Sequence, residues 1–258
     1  VIDARVLAAY DDFRLDIDAH IPDATLTGLV GPNGSGKSTL LKSLAGVTDF
    51  EGEVRYNGQT FTSYSHRERV RLLSYVAQSA GTPPAISVRQ LVEMGRSAGS
   101  GLFWKPSSAD AQAVDFALHN AGLSDLADRP VTALSGGQVQ RAMTARAFAQ
   151  GAQHMLLDEP TNHLDLHHQH ALLGMLKSIT VDEGFSVGIA LHDLALAAQY
   201  CDRLIVLHNG ATVAEGNPLD VLTPSLLNEV FGIDAVLERR NGTPTLVVNG
   251  ATAPAEVV

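Results

Sequence analysis

The stretch Gly31-Pro32-Asn33-Gly34-Ser35-Gly36-Lys37-Ser38-Thr39 spaces its glycines, lysine and hydroxyls as G-x-x-x-x-G-K-[ST]. That pattern suits a phosphate. The glycines let successive backbone N–H groups turn inward around phosphate oxygens, and the start of a following helix adds a favourable dipole. Lys37 is placed to reach the β- and γ-phosphates, Ser38 to ligate Mg2+, and Thr39 to cap the helix or contact the α-phosphate. A second element supplies acids. In Met155-Leu156-Leu157-Asp158-Glu159 an apolar run ends in adjacent carboxylates, which a strand would place where α/β sheets bind ligands. Asp158 would hold Mg2+ through water, and Glu159 would orient or deprotonate an attacking water.

The elements that must position these groups read as strands alternating with helices. "RVLAAY" and "FRLDIDAHI" alternate like strands, with Leu15, Ile17 and Ala19 on one face. "ATLTGLVG" is a β-rich run feeding the glycine loop, and "STLLKSLAGV" reads as the helix after it. "GEVRYNG", with its Asn57-Gly58 turn, suggests a hairpin edge, and "RLLSYVAQ" a buried strand ending at Gln78. From Thr82 to Gln150 the pattern is helical, interrupted by an exposed loop at "SAGSGLFWKPSS". "HMLLDEP" and "SVGIALHD" look like core strands separated by a helix from Leu166 to about Thr180. "RLIVLHNGATVAEG" reads as a hairpin, followed by a short helix at "SLLNEVFG", a hairpin around "ERRNGTPTLVV" and a loose tail, "ATAPAEVV". The alternation predicts a mainly parallel sheet covered on both sides.

Composition narrows the partners. At 258 residues the chain can make one large α/β domain or two small ones, and 45% hydrophobic with 18% charged residues suits a folded protein. A formal charge of −10 argues against nucleic acid, whose backbone selects clustered lysine and arginine. The single cysteine, Cys201, cannot form an internal disulfide, so a reducing compartment is expected. No apolar run approaches the roughly 18–20 residues that span a bilayer, and no basic-then-apolar leader follows Val1. At a membrane, something else would have to anchor it.

The loop and the acids together indicate a P-loop NTPase. Further motifs narrow this. Leu134-Ser135-Gly136-Gly137-Gln138 resembles the signature of the ATP-binding-cassette (ABC) family, and the rest of that family's series follows in order. Gln78 is similar to the Q-loop glutamine, "TNHLD" (Thr161 to Asp165) to the D-loop, and His192 to the switch histidine. Tyr10 is placed like the aromatic that stacks on adenine, and the resemblance runs from about Tyr10 to Glu215.

The resemblance implies a single ABC ATPase domain over 1–258, with an N-terminal antiparallel β part and an inserted helical subdomain. The P-loop core would occupy about 1–81 and 151–215, the signature-bearing helical part about 82–150, and a C-terminal extension about 216–258. It implies ATP and Mg2+ as ligands, with Gln78 joining Ser38 and Asp158 around the metal and His192 contacting the γ-phosphate. It also implies that two copies pair head to tail, the signature of one closing over the nucleotide of the other. The physics agrees: Ser135, Gly136 and Gly137 offer a hydroxyl and backbone N–H groups at a helix start, an anion site without lysine. Gln138 and Asp165 complete the composite site in this reading.

Two function classes share this chemistry. One is the energising subunit of a transporter, peripheral on the cytoplasmic face beneath polytopic membrane permease subunits, with a substrate-binding protein acting indirectly. The other is a soluble ABC ATPase of DNA repair or translation. A compact 82–150 section, a single phosphate loop and the acidic balance favour the transporter class. A small-molecule kinase would leave Leu134 to Gln138 unexplained. "DEPTNHLDLHHQ", "LHDLALAAQYCDRLIVLHNG" and "GNPLDVLTPSLLNEVFGIDA" resemble the ATPases of iron-chelate, haem and cobalamin importers, with siderophore the first expectation. Of the remaining reactive residues, His163, His167, His168 and His170 read as a solvated helix face, although His163 and His167 have a helical metal-ligand spacing. Cys201 reads as helix packing, and Trp104 as a lipid or partner contact or a small local core.

Overall fold

In the computed structural model, which describes residues 1–10, 13–78, 85–99, 105–162 and 164–252, the opening segment folds as its alternation dictates. β1 (Ile2–Tyr10) and β2 (Phe13–Ile21) pair antiparallel; Leu15, Ile17 and Ala19 are buried, while Arg14, Asp18 and His20 face solvent. β3 (Leu26–Val30) is buried at every position, as a strand covered on both faces must be. It runs into the glycine loop and α1 (Lys37–Leu44). β4 (Glu51–Tyr56) returns along β1 and turns to β5 (Gln59–Thr60).

α2 (His66–Leu72) then precedes β6 (Leu73–Val76). Here the structure corrects the expected strand, because Arg71 and Leu72 of "RLLSYVAQ" close a helix. Ser65 and Glu68 form a capping box at its start, and Arg69 and Arg71 sit in its last turn, where cations complement the helix dipole. Three more capping boxes, Ser87–Gln90, Ser107–Asp110 and Ser135–Gln138, open α3 (Val88–Ser97), α4 (Ser108–Asn120) and α5 (Gly136–Ala149). These helices share a core of their own, including Val88, Leu91, Val114, Leu118 and Ala145.

The remaining elements alternate. β7 (His154–Asp158), α6 (Leu166–Asp182), β8 (Ser186–Ala190), α7 (Leu194–Tyr200), β9 (Arg203–His208) and β10 (Ala211–Gly216) follow in turn. α8 (Pro218–Val221) and α9 (Pro224–Phe231) lead to a separate hairpin of β11 (Ile233–Arg240) and β12 (Thr243–Ala251). The main sheet has ten strands in the order β5-β4-β1-β2-β10-β9-β3-β8-β7-β6. Its β9-β3-β8-β7-β6 part is parallel, and the N-terminal end is antiparallel. One core joins these strands to α6, α7 and the terminal hairpin, and a second joins them to α1 and the antiparallel part. Among the described residues no helix is long and apolar enough to cross a membrane. Trp104 and the tail from 253 onward lie outside the described residues.

Gly95 sets how closely α3 lies on α5, since a Cβ there would stand 2.2 Å from the Arg146 carbonyl oxygen. Gly95→Ala should therefore destabilise the chain by about 1–3 kcal/mol through overpacking. Gly174, inside α6, has open space around it, so Gly174→Ala should gain about 0.5–1 kcal/mol from helix propensity. Denaturant melts of the two variants should move in opposite directions.

Candidate active site

Parallel strands place their C-terminal ends on one edge. Along that edge β3 carries the glycine loop, β8 leads to His192, β7 ends in Asp158 with Glu159 following, and β6 leads to Gln78. Four sequence-distant elements thus meet because their strands are neighbours in the sheet.

The start of α1 is unlike the other described α-helix starts. Its N-cap is Gly36, with φ 106°, and no side chain caps the helix. The other described helices, α2 to α9, all have a Ser, Thr, Asp or Asn side chain accepting a first-turn N–H. The first-turn amides of Lys37, Ser38 and Thr39 have no intrahelical acceptor in any case, so they are open to an anion. Gly36 is required here: a Cβ would stand 2.4 Å from Leu15 Cδ1, and the left-handed φ disfavours a side chain. Ser35 Oγ is buried without a hydrogen-bond partner. Lys37 is also buried and donates to the carbonyls of Gly31 (2.8 Å) and Pro32 (3.1 Å). Burial pushes its ammonium below the ordinary lysine range, although Glu159 and Asp158 pull the other way.

Acids stand opposite this loop. Ser38 Oγ donates to Asp158 Oδ1 at 2.9 Å, joining two hard oxygen ligands of the kind Mg2+ takes. Burial pushes the Asp158 carboxyl above its usual range, opposed by the Ser38 hydrogen bond. Glu159 is buried, with a left-handed φ of 51° that costs a non-glycine residue about 1 kcal/mol or more. Its Oε1 meets His192 Nε2, and its Oε2 accepts from Gln78 Nε2 and, at 2.7 Å, from Asn162 Nδ2. The resulting cleft of about 350 Å³ is lined by the loop from Asn33 to Thr39 with Phe13, Glu159 and His192. This donor set fits a triphosphate with its metal.

Ser135 to Gln138 are elsewhere, on the helical part, and do not line the cleft. Ser135 caps α5, its hydroxyl accepting from the Gln138 amide while Gln138 Oε1 takes the Ser135 N–H. The Gly136 and Gly137 amides stay available, with open space where a Gly136 side chain would be. Asp165 caps α6 and accepts at Oδ1 from the His168 amide (2.9 Å) and ring (2.7 Å), which hold its carboxyl below the usual range. His170 pairs with the Tyr200 hydroxyl at 2.8 Å, and the His167 ring lies against His168. Among the described residues no group of three His, Cys, Asp or Glu side chains could hold a metal; His163 lies outside them. Cys201 is buried, with its Sγ close to Gly28.

Residues 15–162 match the family described as ABC transporter. The chain belongs to that family. The ferric enterobactin transport ATP-binding protein FepC of Escherichia coli (strain K12) is 39% identical over 242 residues, covering 93% of this chain and 89% of FepC. The hemin import ATP-binding protein HmuV of Pseudomonas entomophila (strain L48) is 40% identical over 230 residues, covering 86% of this chain and 88% of HmuV. Among solved structures, an inward-facing ABC transporter assigned to the metal-chelate type superposes with a TM-score of 0.80 at 27% identity, covering 96% of each chain.

The ABC match spans the glycine loop, Gln78, the signature and both acids, and leaves Asp165 and His192 beyond it. One residue at the site escapes motif reading, and so does one contact. Phe13 is opposite Tyr10 in the β1–β2 ladder and lines the cleft, whereas the Tyr10 side chain lies outside the described part. Asn162 falls within the D-loop stretch, but nothing in that motif gives its contact with Glu159.

A carboxyl raised by burial stabilises the fold only while protonated, and that contribution is lost as pH rises through its folded value. At neutral pH the Asp158 charge is therefore a cost. Asp158→Asn should melt higher than the parent at pH 7 without nucleotide or metal, and the gap should shrink toward pH 4. The same variant should lose Mg2+-dependent hydrolysis. A lower melting temperature at pH 7 would contradict the assigned cost.

Proposed function

We propose that this chain hydrolyses ATP with Mg2+ as the energising subunit of an importer for an iron chelate. It works as a head-to-tail pair of copies, peripheral on the cytoplasmic face of the membrane beneath polytopic permease subunits. One observation carries the ATPase reading: the single α-helix start among the described residues that no side chain caps faces a carboxylate, Glu159, held by three hydrogen-bonding side chains.

The chain's own groups divide the work. The loop amides and Lys37 hold the β- and γ-phosphates; an ammonium has three donors, and two of them rest on loop carbonyls here. Phe13, beside Gly36, offers the adenine a face, the task the sequence motif gives to Tyr10. Ser38, Gln78 and, through water, Asp158 would hold Mg2+, which when bound neutralises phosphate charge. Glu159 orients the attacking water and takes its proton, and His192 turns to the γ-phosphate. Ser135, Gly136 and Gly137 of the second copy approach that phosphate from the other side. Asp165, beside the D-loop turn, lies near the seam between copies. ATP closes the pair, and hydrolysis with release reopens it.

The shared site is testable by mixing two inactive variants. Ser135→Arg should block hydrolysis while leaving ATP affinity intact, and Lys37→Ala should weaken ATP binding itself. Mixed together they rebuild one face from two undamaged halves, so activity should partly return. A fully active monomer whose rate per chain ignores concentration would exclude the pairing.

The cargo rests on likeness to FepC and HmuV, which their names describe as transporting ferric enterobactin and hemin. No residue of this chain need touch cargo, since it would cross in the membrane subunits. The cargo order is siderophore ahead of haem and cobalamin third, and deleting the gene should impair growth on a scarce ferric-siderophore or haem source. Restoration should require Glu159. Unchanged uptake of labelled iron chelates, haem and cobalamin would refute the cargo and leave the ATPase chemistry standing.

A further inference from the structure

We infer that Asn162 is a positioning residue for hydrolysis: its side-chain amide holds the Glu159 carboxylate in the orientation that receives the proton of the attacking water, an inference that rests on the ATPase function proposed above.

Glu159 is the first residue beyond β7, and the sheet does not fix it. Its left-handed φ of 51° takes the chain out of the strand, so the carboxylate depends on partners for its direction. Asn162 supplies one of them and ties the main chain as well. Its backbone N–H donates to the Glu159 carbonyl at 3.2 Å and closes the turn, and its side-chain Nδ2 donates to Glu159 Oε2 at 2.7 Å. One residue thus ties both the main chain and the carboxylate of the same glutamate.

The other two partners differ in kind. Gln78 follows β6 and His192 follows β8, so each reaches Glu159 from a separate strand end. Both also have tasks at the metal and the γ-phosphate in the proposed mechanism, and engaging there draws them away from Glu159. Asn162 lies on the same turn as Glu159, three residues on, and moves with it. A carboxamide is also neutral at every accessible pH, so it donates to the carboxylate without competing for the proton.

A purely structural role is separable. Closing the turn needs only the Asn162 backbone N–H, which alanine keeps; steering the carboxylate needs the side-chain amide, which alanine lacks. The substitution therefore removes one function and spares the other.

The test is steady-state ATP hydrolysis by the full chain, at concentrations where the rate per chain no longer rises, with fluorescent-nucleotide binding and a thermal melt on each variant. Asn162→Ala should lower kcat roughly ten- to a hundredfold with the KM for ATP little changed, the signature of a misplaced reacting group. Asn162→Asp keeps the shape but turns an acceptor toward the carboxylate, and should lose at least as much. Asn162→Gln keeps an amide and should recover part of the rate. In a Glu159→Gln background, Asn162→Ala should cost little more, because its effect passes through that carboxylate. An unchanged kcat in Asn162→Ala, or a loss confined to KM or to melting temperature, overturns the inference. A parent chain that does not hydrolyse ATP, or a Glu159→Gln variant at the parent rate, instead overturns the ATPase function beneath it.

Discussion

A helix start whose amides no protein group accepts is the constraint on which this structure turns. The first turn of any helix leaves several N–H donors without intrahelical partners, and this chain caps the starts of α2 to α9 with its own side chains. At α1 it does not. Leaving those donors open demands a residue without a side chain at position 36, because Leu15 and Phe13 crowd the space a Cβ would need. It demands a rigid base, which the fully buried β3 provides. It also demands that acids and a histidine arrive from elsewhere, which the neighbouring strands β8 and β7 accomplish.

The electrostatics suit charged ligands. Burial disfavours the charge on Lys37 and the charge on Asp158, and neither is fully compensated by the other. A buried cation resting on carbonyls and a buried carboxylate beside a hydroxyl are both costly. In the proposed function a triphosphate would relieve the lysine and a divalent cation the aspartate. Ligand binding would then offset a cost of folding, the trade expected where function and stability compete for the same residues.

How much of this the sequence disclosed depended on whether a feature was local. The glycine loop, the acidic strand and the signature turn are contiguous, and their backbone demands can be read from residue types. Central strands were legible from short β-rich runs such as Leu26 to Val30, and β2 from its alternation. α2 escaped because it is short and polar, yet Ser65 and Glu68 carried a capping-box spacing that announces a helix. Phe13 and the contact made by Asn162 escaped for a different reason. The place of Phe13 is set by the β1–β2 register, and the side chain that reaches Glu159 is set by that residue's left-handed φ. Neither quantity is written in any single residue. Asp165 shows the converse, since its motif gave no sign of the helix start it caps.

The two helix starts that face phosphate in the proposed pair are not equivalent, and their difference imposes an order on events. α1 offers open amides backed by a buried lysine, a complete anion site within one chain. α5 satisfies itself first: Gln138 takes the Ser135 N–H, and Ser135 takes the Gln138 amide. What α5 keeps is the Ser135 O–H and the Gly136 and Gly137 amides, a site of partial charge with no cation behind it. Such a site holds a phosphate weakly alone, and gains strength only when an anion is already fixed and water is excluded around it. In the proposed pair, nucleotide would therefore enter on the α1 side, and the signature would join once two chains meet. The capping box holds the start of α5 with the chain's own groups. Pairing would then depend on ATP.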